Sequence, residues 1–364
     1  MPAVKIKDGV YWIGVNDRTT DLFEGLWPIT REGVSYNSYL IMDEKNVLID
    51  LAKYIKTDVF FDHIAEMVDL KDIDYVVINH VEPDHTGVLR ILRQMAPEVK
   101  ILCSSRARDM LADYYGLSYN IGVVEDGEIL HIGRRKLKFL LIPFVHWPET
   151  MATYETTERI LFSCDAFGGY GAVHTEIFSD QCHNIEFCRE NLLRYFVNII
   201  AKFSKPVLNA ISKVERLPID IIAPSHGLIW RENPDQVIKL YRKWAEYAEG
   251  ETESGITLLY GSMYGNTEAM MNSVARGISE VKIPVTVFDV ARTHPSYILP
   301  SLWVNKGVII GAPTYEGGLF PPMKDLLEKA GLKRILNKKA LMFGSYGWSG
   351  GALRQIKSVI EPLK

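Results

Sequence analysis

The stretch VVINHVEPDHTGVL, residues 76–89, carries the reading of this chain. An apolar run of the kind buried on both faces of a sheet ends abruptly in His80, Glu82, Asp84 and His85, four metal-ligand side chains within six residues. Open α/β sheets place their chemistry in loops at the carboxyl ends of strands, where the strand fixes the loop and neighbouring elements leave a crevice above it. His80, Glu82 and Asp84 alternate along the chain, so an extended backbone is expected to project them to one side, with His85 added from the adjacent turn.

A metal site needs donors that converge from several elements, and three further apolar strands end the same way. KLKFLLIPFVHWPET (136–150) leads to His146, RILFSCDAFG (159–168) to Asp165, and IDIIAPSHGLIW (219–230) to His226. Four of the chain's nine histidines therefore sit with three carboxylates at strand ends. Seven donors are too many for one tetrahedral ion and suit two metals sharing one bridging carboxylate. Imidazoles and carboxylates without thiolate fit zinc, iron or manganese, and a carboxylate-rich shell with open positions leans toward non-haem iron. His63, His131, His174, His183 and His294 lack the strand-end context and read as structural or surface residues.

Composition narrows the classes. At 364 residues the chain exceeds one ordinary core and suggests two domains; 47% apolar and 24% charged residues are those of a globular protein. A formal charge of −4 gives no electrostatic reason to expect nucleic acid as a partner. The amino terminus shows no export signal, and no run of 18 uncharged apolar residues is present, so no membrane anchor is expected. The four cysteines, Cys103, Cys164, Cys182 and Cys188, form no C-x-x-C pair, so neither a disulfide scaffold nor a zinc or rubredoxin knuckle is indicated, and the cytoplasm is the expected location.

Short strands fill the first 50 residues, with SYNSYLI and NVLIDLA expected to form a hairpin about residues 43–45. TDVFFDHIAEMVDL (57–70) has helical spacing, and strand and helix are then expected to alternate, an α/β architecture. ENPDQVIKLYRKWAEYAEGETESG (232–255) is an amphipathic helix that runs into a charged stretch, so the expected domains are 1–252 and 253–364.

The second half opens with LLYGSMYGNTEAMM, a strand and helix joined by Ser262, Met263, Tyr264, Gly265, Asn266 and Thr267, a loop whose N–H and hydroxyl groups suit an anion. Two later strands end in Pro313, Thr314, Tyr315, Glu316 and Gly317, and in Ser345, Tyr346, Gly347, Trp348, Ser349 and Gly350. Three such loops with glycines and aromatics can hold a phosphate and a flat ring together. No G-x-G-x-x-G dinucleotide fingerprint is present. Four strands are read here, at about 256–261, 284–290, 307–312 and 340–344, and the chain stops before a fifth strand and last helix, so this half is expected to be shortened.

The run HVEPDH with His146, Asp165 and His226 resembles the metallo-β-lactamase-like fold, an αββα sandwich, in the variant found in flavodiiron proteins. Zinc hydrolases of that fold usually carry a histidine where this chain has Glu82. The resemblance implies one iron on His80, Glu82 and His146, a second on Asp84, His85 and His226, and Asp165 bridging them. The second half is similar to flavodoxin, which implies FMN, with the first loop on the phosphate and the other two around the isoalloxazine ring.

The implied function is reduction of O2 to water, of NO to N2O, or both. A diferrous site and FMNH2 supply two electrons each, the four that O2 needs. The resemblance further implies a head-to-tail homodimer, or a dimer of dimers, that brings one subunit's FMN to the other's irons, and a separate electron donor such as rubredoxin, a flavin reductase or reduced F420. A binuclear zinc hydrolase is the alternative, and a non-catalytic flavin carrier a third reading. Tyr195, in NLLRYFVNII, points either toward the site or into the core.

Overall fold

The computed structural model describes residues 3–173 and 176–361, so His174 lies outside the described residues. Two compact units form, one of Met1–Phe196 with Lys205–Arg242, the other of Val197–Ser204 with Lys243–Lys364.

In the first unit two sheets face each other. One has seven strands in the order Val4–Lys7, Val10–Trp12, Tyr39–Ile41, Asn46–Ile49, Ile73–Val77, Lys100–Cys103, Ile121–Val123. Its first four strands are antiparallel neighbours, including the hairpin about residues 43–45, and from Asn46–Ile49 onward the pairing is parallel. The other has five, in the order Ile129–His131, Lys136–Leu141, Met151–Glu155, Ile160–Cys164, Ile221–Pro224, with only the last pair parallel. Trp12, Tyr39, Ile49 and Val77 of the first sheet share one apolar core with Phe139, Met151, Phe162 and Ile221 of the second. Helices such as Thr57–Ala65 and Ser105–Tyr115 follow their strands with buried residues on one face.

The expected alternation of strand and helix fails between residues 121 and 164, where five strands follow one another with no α-helix among the described residues. The reason is local. The turns at Gly127 and Gly133 take positive φ (85° and 128°), and the strand between Lys136 and Leu141 alternates in burial, so the chain doubles back as hairpins.

In the second unit four parallel strands lie in the order Val285–Asp289, Glu253–Tyr260, Asn305–Gly311, Lys339–Phe343. The connecting helices Asn266–Glu280, Pro295–Val304 and Pro321–Leu332 make this a doubly wound, flavodoxin-like sheet. No helix among the described residues is long and apolar enough to cross a membrane.

Candidate metal centre and flavin loops

Pro83 decides how the opening stretch is used. The residue before a proline is held extended, and proline itself suits the first position of a helix. Glu82 accordingly has φ −52° and ψ 141°, whereas Asp84 and His85 lie in the short helix Pro83–Thr86. The expected projection of His80, Glu82 and Asp84 to one side does not occur: the helical turn carries Asp84 away with His85.

Two donor sets result, both touching Asp165. His80 Nε2 and His146 Nε2 lie 3.1 and 3.2 Å from Glu82 Oε2, and each lies 3.5 Å from Asp165 Oδ2. On the other side, His85 Nε2 and His226 Nε2 lie 3.2 and 3.3 Å from Asp165 Oδ1, with Asp84 oxygens 3.6 and 3.3 Å from the same two nitrogens. One carboxylate thus offers one oxygen to each set. His80, His85, His146, Asp165 and His226 are all buried.

The remaining ring nitrogens are held from behind. His80 donates from Nδ1 to Glu149 Oε1 at 2.6 Å, and Glu149 also accepts the Val81 N–H at 3.1 Å. His226 donates from Nδ1 to the Ser35 carbonyl at 2.8 Å. These bonds fix the tautomer that turns Nε2 inward. Asp50 ties the adjoining loops, accepting the Asn79 N–H at 2.7 Å and the Ser225 hydroxyl at 3.3 Å. Tyr195 is buried with its ring 5.7 Å from that of His226, and Phe23 closes on the same imidazole at 5.5 Å.

The electrostatics describe a place built for cations. Burial alone would keep Asp165 neutral, yet His85, His226 and His80 hold its carboxyl well below the usual range. Burial likewise opposes charge on His226, but Asp165 and Asp84 push it up to about 10. Protons on the His80, His85 and His226 imidazoles balance the carboxylates, the balance a metal ion takes over when it binds. Asp84 Oδ1, His85 Nε2, His226 Nε2 and both Asp165 oxygens are buried without a hydrogen bond, an expensive arrangement for five polar atoms unless they coordinate something. The donor set therefore fits a pair of metal ions.

Of the other histidines, buried His63 sits 3.0 Å by Nδ1 from the Gly14 carbonyl, His131 is exposed, exposed His183 lies 2.9 Å from Glu176, and His294 caps the helix Pro295–Val304. Glu149 and Asp50 are functional residues that sequence reading missed. Glu149 stands three residues beyond His146 in the same strand-end loop, and Asp50 follows the strand Asn46–Ile49 directly.

In the second unit the three loops converge on a cavity of about 470 Å³. Ser262, Met263, Tyr264, Asn266 and Thr267 line one side; Pro313 through Glu316 and Ser345 through Trp348 line the rest. Gly265, at φ 86°, caps the helix Asn266–Glu280 and donates its N–H to Ser262 Oγ at 3.0 Å. Thr267 and Ser345 hydroxyls meet at 2.9 Å, tying the first loop to the third. A Cβ on Gly351 would fall 1.8 Å from the Gly317 carbonyl, so glycine alone permits the second and third loops to touch. Gly317, Ser349 and Gly350 shape these loops without lining the cavity, Gly350 as the cap of the helix Gly351–Ile360.

Two donor sets about one carboxylate in a ββ sandwich, followed by a flavodoxin-like sheet with an anion loop and exposed aromatics, define a binuclear metalloflavoprotein. Comparison with known proteins agrees: residues 34–227 match the ODP family beta lactamase and residues 258–364 match flavodoxin. The chain is 38% identical over 366 residues to the anaerobic nitric oxide reductase flavorubredoxin of Citrobacter koseri, a match covering 99% of this chain and 75% of that protein. Its structure is similar to rubredoxin oxygen:oxidoreductase from Desulfovibrio gigas, with a TM-score of 0.94, 30% identity, and coverage of 99% of this chain and 90% of that one. The flavodiiron protein of Giardia intestinalis gives a TM-score of 0.94 at 28% identity, covering 100% and 88% of the two chains. The chain belongs to the flavodiiron proteins and is an oxidoreductase of that family.

Proposed function

We propose that the chain reduces a diatomic gas, NO to N2O or O2 to water, using a non-haem diiron centre supplied with electrons through FMN. The observation that carries this reading is Asp165, whose two carboxylate oxygens each face a separate donor set with no hydrogen bond of their own. His80, Glu82 and His146 would hold one iron, Asp84, His85 and His226 the other, and Asp165 would bridge them. The nitric oxide reductase and oxygen oxidoreductase named among the similar proteins support both substrates. Bound there, the two irons would bind the gas and supply two electrons, and FMN would supply two more.

The chain's own residues do the positioning. Glu149 and the Ser35 carbonyl keep the imidazoles of His80 and His226 aimed inward. Phe23, Tyr195 and Trp147 wall the site with rings 5.1–5.7 Å from the histidines, excluding water from the reacting groups. In the flavin half, the loop 262–267 would take the FMN phosphate, while Tyr315, Tyr346 and Trp348 flank the ring.

In this reading the metal half runs to about residue 252 and the flavin half follows, and two chains associate head to tail so that one subunit's FMN serves the other's irons, as a dimer or a dimer of dimers. Electrons come from a separate cytoplasmic donor, with rubredoxin favoured over a flavin reductase or reduced F420 by the name of the Desulfovibrio gigas enzyme.

The test is anaerobic reduction of iron- and FMN-replete protein followed by measured uptake of NO and of O2. Turnover of either gas is expected. Absence of turnover with both overturns the reading, and zinc content with ester hydrolysis in the absence of reductant assigns a hydrolase instead.

A further inference from the structure

Cys182 and Cys188 take no part in the chemistry described above, yet the fold brings them together. Cys182 follows the turn Ser179–Gln181, and Cys188 lies in the first turn of the helix Ile185–Tyr195, its N–H bonded to the Asn184 carbonyl at 3.1 Å. Asn184 caps that helix by accepting the Phe187 N–H. The resulting reversal sets the two sulfurs 2.7 Å apart, as free thiols in hydrogen-bond contact. Both are partly exposed and border a cavity of about 400 Å³ walled by Tyr170, Phe187, Leu192 and Trp230, whereas Cys103 and Cys164 are buried.

We propose that Cys182 and Cys188 are a peroxide-responsive dithiol, which a hydroperoxide entering this cavity converts reversibly to an intramolecular disulfide. A short movement closes the sulfurs to the roughly 2.05 Å of an S–S bond. Cys182, on the loop ahead of the helix, is the sulfur that reacts first, and Cys188, fixed within the helix and with its thiol pushed up by burial and the neighbouring Cys182, is the one that resolves it. The Cys182 sulfur attacks the O–O bond, giving a sulfenic acid and one water. The Cys188 sulfur then displaces the hydroxyl, the S–S bond forms and a second water leaves. Two thiols lose two electrons and two protons, and one hydrogen peroxide becomes two waters. The bond staples the entry of the helix that ends at Tyr195, beside His226.

The test treats reduced, desalted holoprotein with hydrogen peroxide, alkylates it with N-ethylmaleimide, and reads intact mass and a chymotryptic map. Loss of two of the four thiols, a 182–188 linkage and full recovery with dithiothreitol are expected. The C188S variant should retain a Cys182 sulfenic acid that dimedone captures, and C182S should show neither linkage nor capture. Four alkylated thiols, a linkage through Cys103 or Cys164, or dimedone on Cys188 would each overturn the proposal. The wild-type map is decisive even if a variant folds poorly.

Discussion

The metal centre and the flavin loops reach function by opposite routes. Around Asp165 the four imidazoles and the shared carboxylate are buried, and His80 and His226 are held from behind, so the scaffold carries much of the desolvation and orientation before any ion arrives. The flavin loops expose Tyr264 and Trp348 almost wholly, and their backbone is shaped by positive-φ residues such as Gly265 and Glu316. That half offers N–H groups and aromatic faces but no closed pocket, so the ligand itself completes it. Defects in the first region should therefore appear as lost metal, and defects in the second as weaker flavin binding with metal intact.

The sharpest way to break the contrast is Asp165→Ala. Removing the one carboxylate common to both sets should lower iron from two equivalents per chain to below one and cut gas turnover by at least about 100-fold, the upper end of what losing an outer partner costs. FMN content should be unchanged, as measured by metal analysis and flavin absorbance. Glu149→Ala leaves every inward donor in place but frees the His80 ring. Iron affinity should fall roughly 10–100-fold by chelator competition, with the circular dichroism spectrum preserved.

Trp348→Ala probes the other region. Losing one exposed stacking face should weaken FMN by about 0.5–1.5 kcal/mol, or up to about tenfold in Kd by fluorescence titration, while iron stays at two equivalents. The smallest effect concerns acid stability at the segment that carries Phe23. Burial pushes the Asp17 carboxyl up, but the hydroxyls and amides of Thr20 and Thr19 and the Lys56 charge bring it down to about 2. Its folded value lies below the unfolded one near 3.9, so its stabilisation is complete above about pH 4 and is lost as pH falls through about 2. Urea unfolding of wild type and Asp17→Asn should differ at pH 6 and converge near pH 2.

The two regions also differ in how far the sequence discloses them. The strand-end histidines and Asp165 stand out because an apolar strand makes a following polar ligand visible, and Glu82 with Pro83 marks where the backbone turns. Glu149 hides because a lone carboxylate three residues past a histidine has no periodicity; its value arises only when the strands Ile73–Val77 and Met151–Glu155 bring it under His80. The run of five strands from residue 121 is hidden within an apparent strand–helix alternation because short hairpin strands and buried helix turns share an apolar composition. In the flavin half the glycines and hydroxyls announce the loops, whereas the Thr267–Ser345 tie and the close approach of Gly351 to Gly317 are long-range facts of packing.

Asp165 is the carboxylate shared by both donor sets, and a crystal structure of iron-loaded protein with anomalous scattering measured at the iron edge tests directly whether it stands between two irons. Two peaks about 3.5–4 Å apart should flank the Asp165 carboxylate, one toward His80 and His146 and one toward His85 and His226. A single peak, or a zinc edge in place of iron, would contradict it.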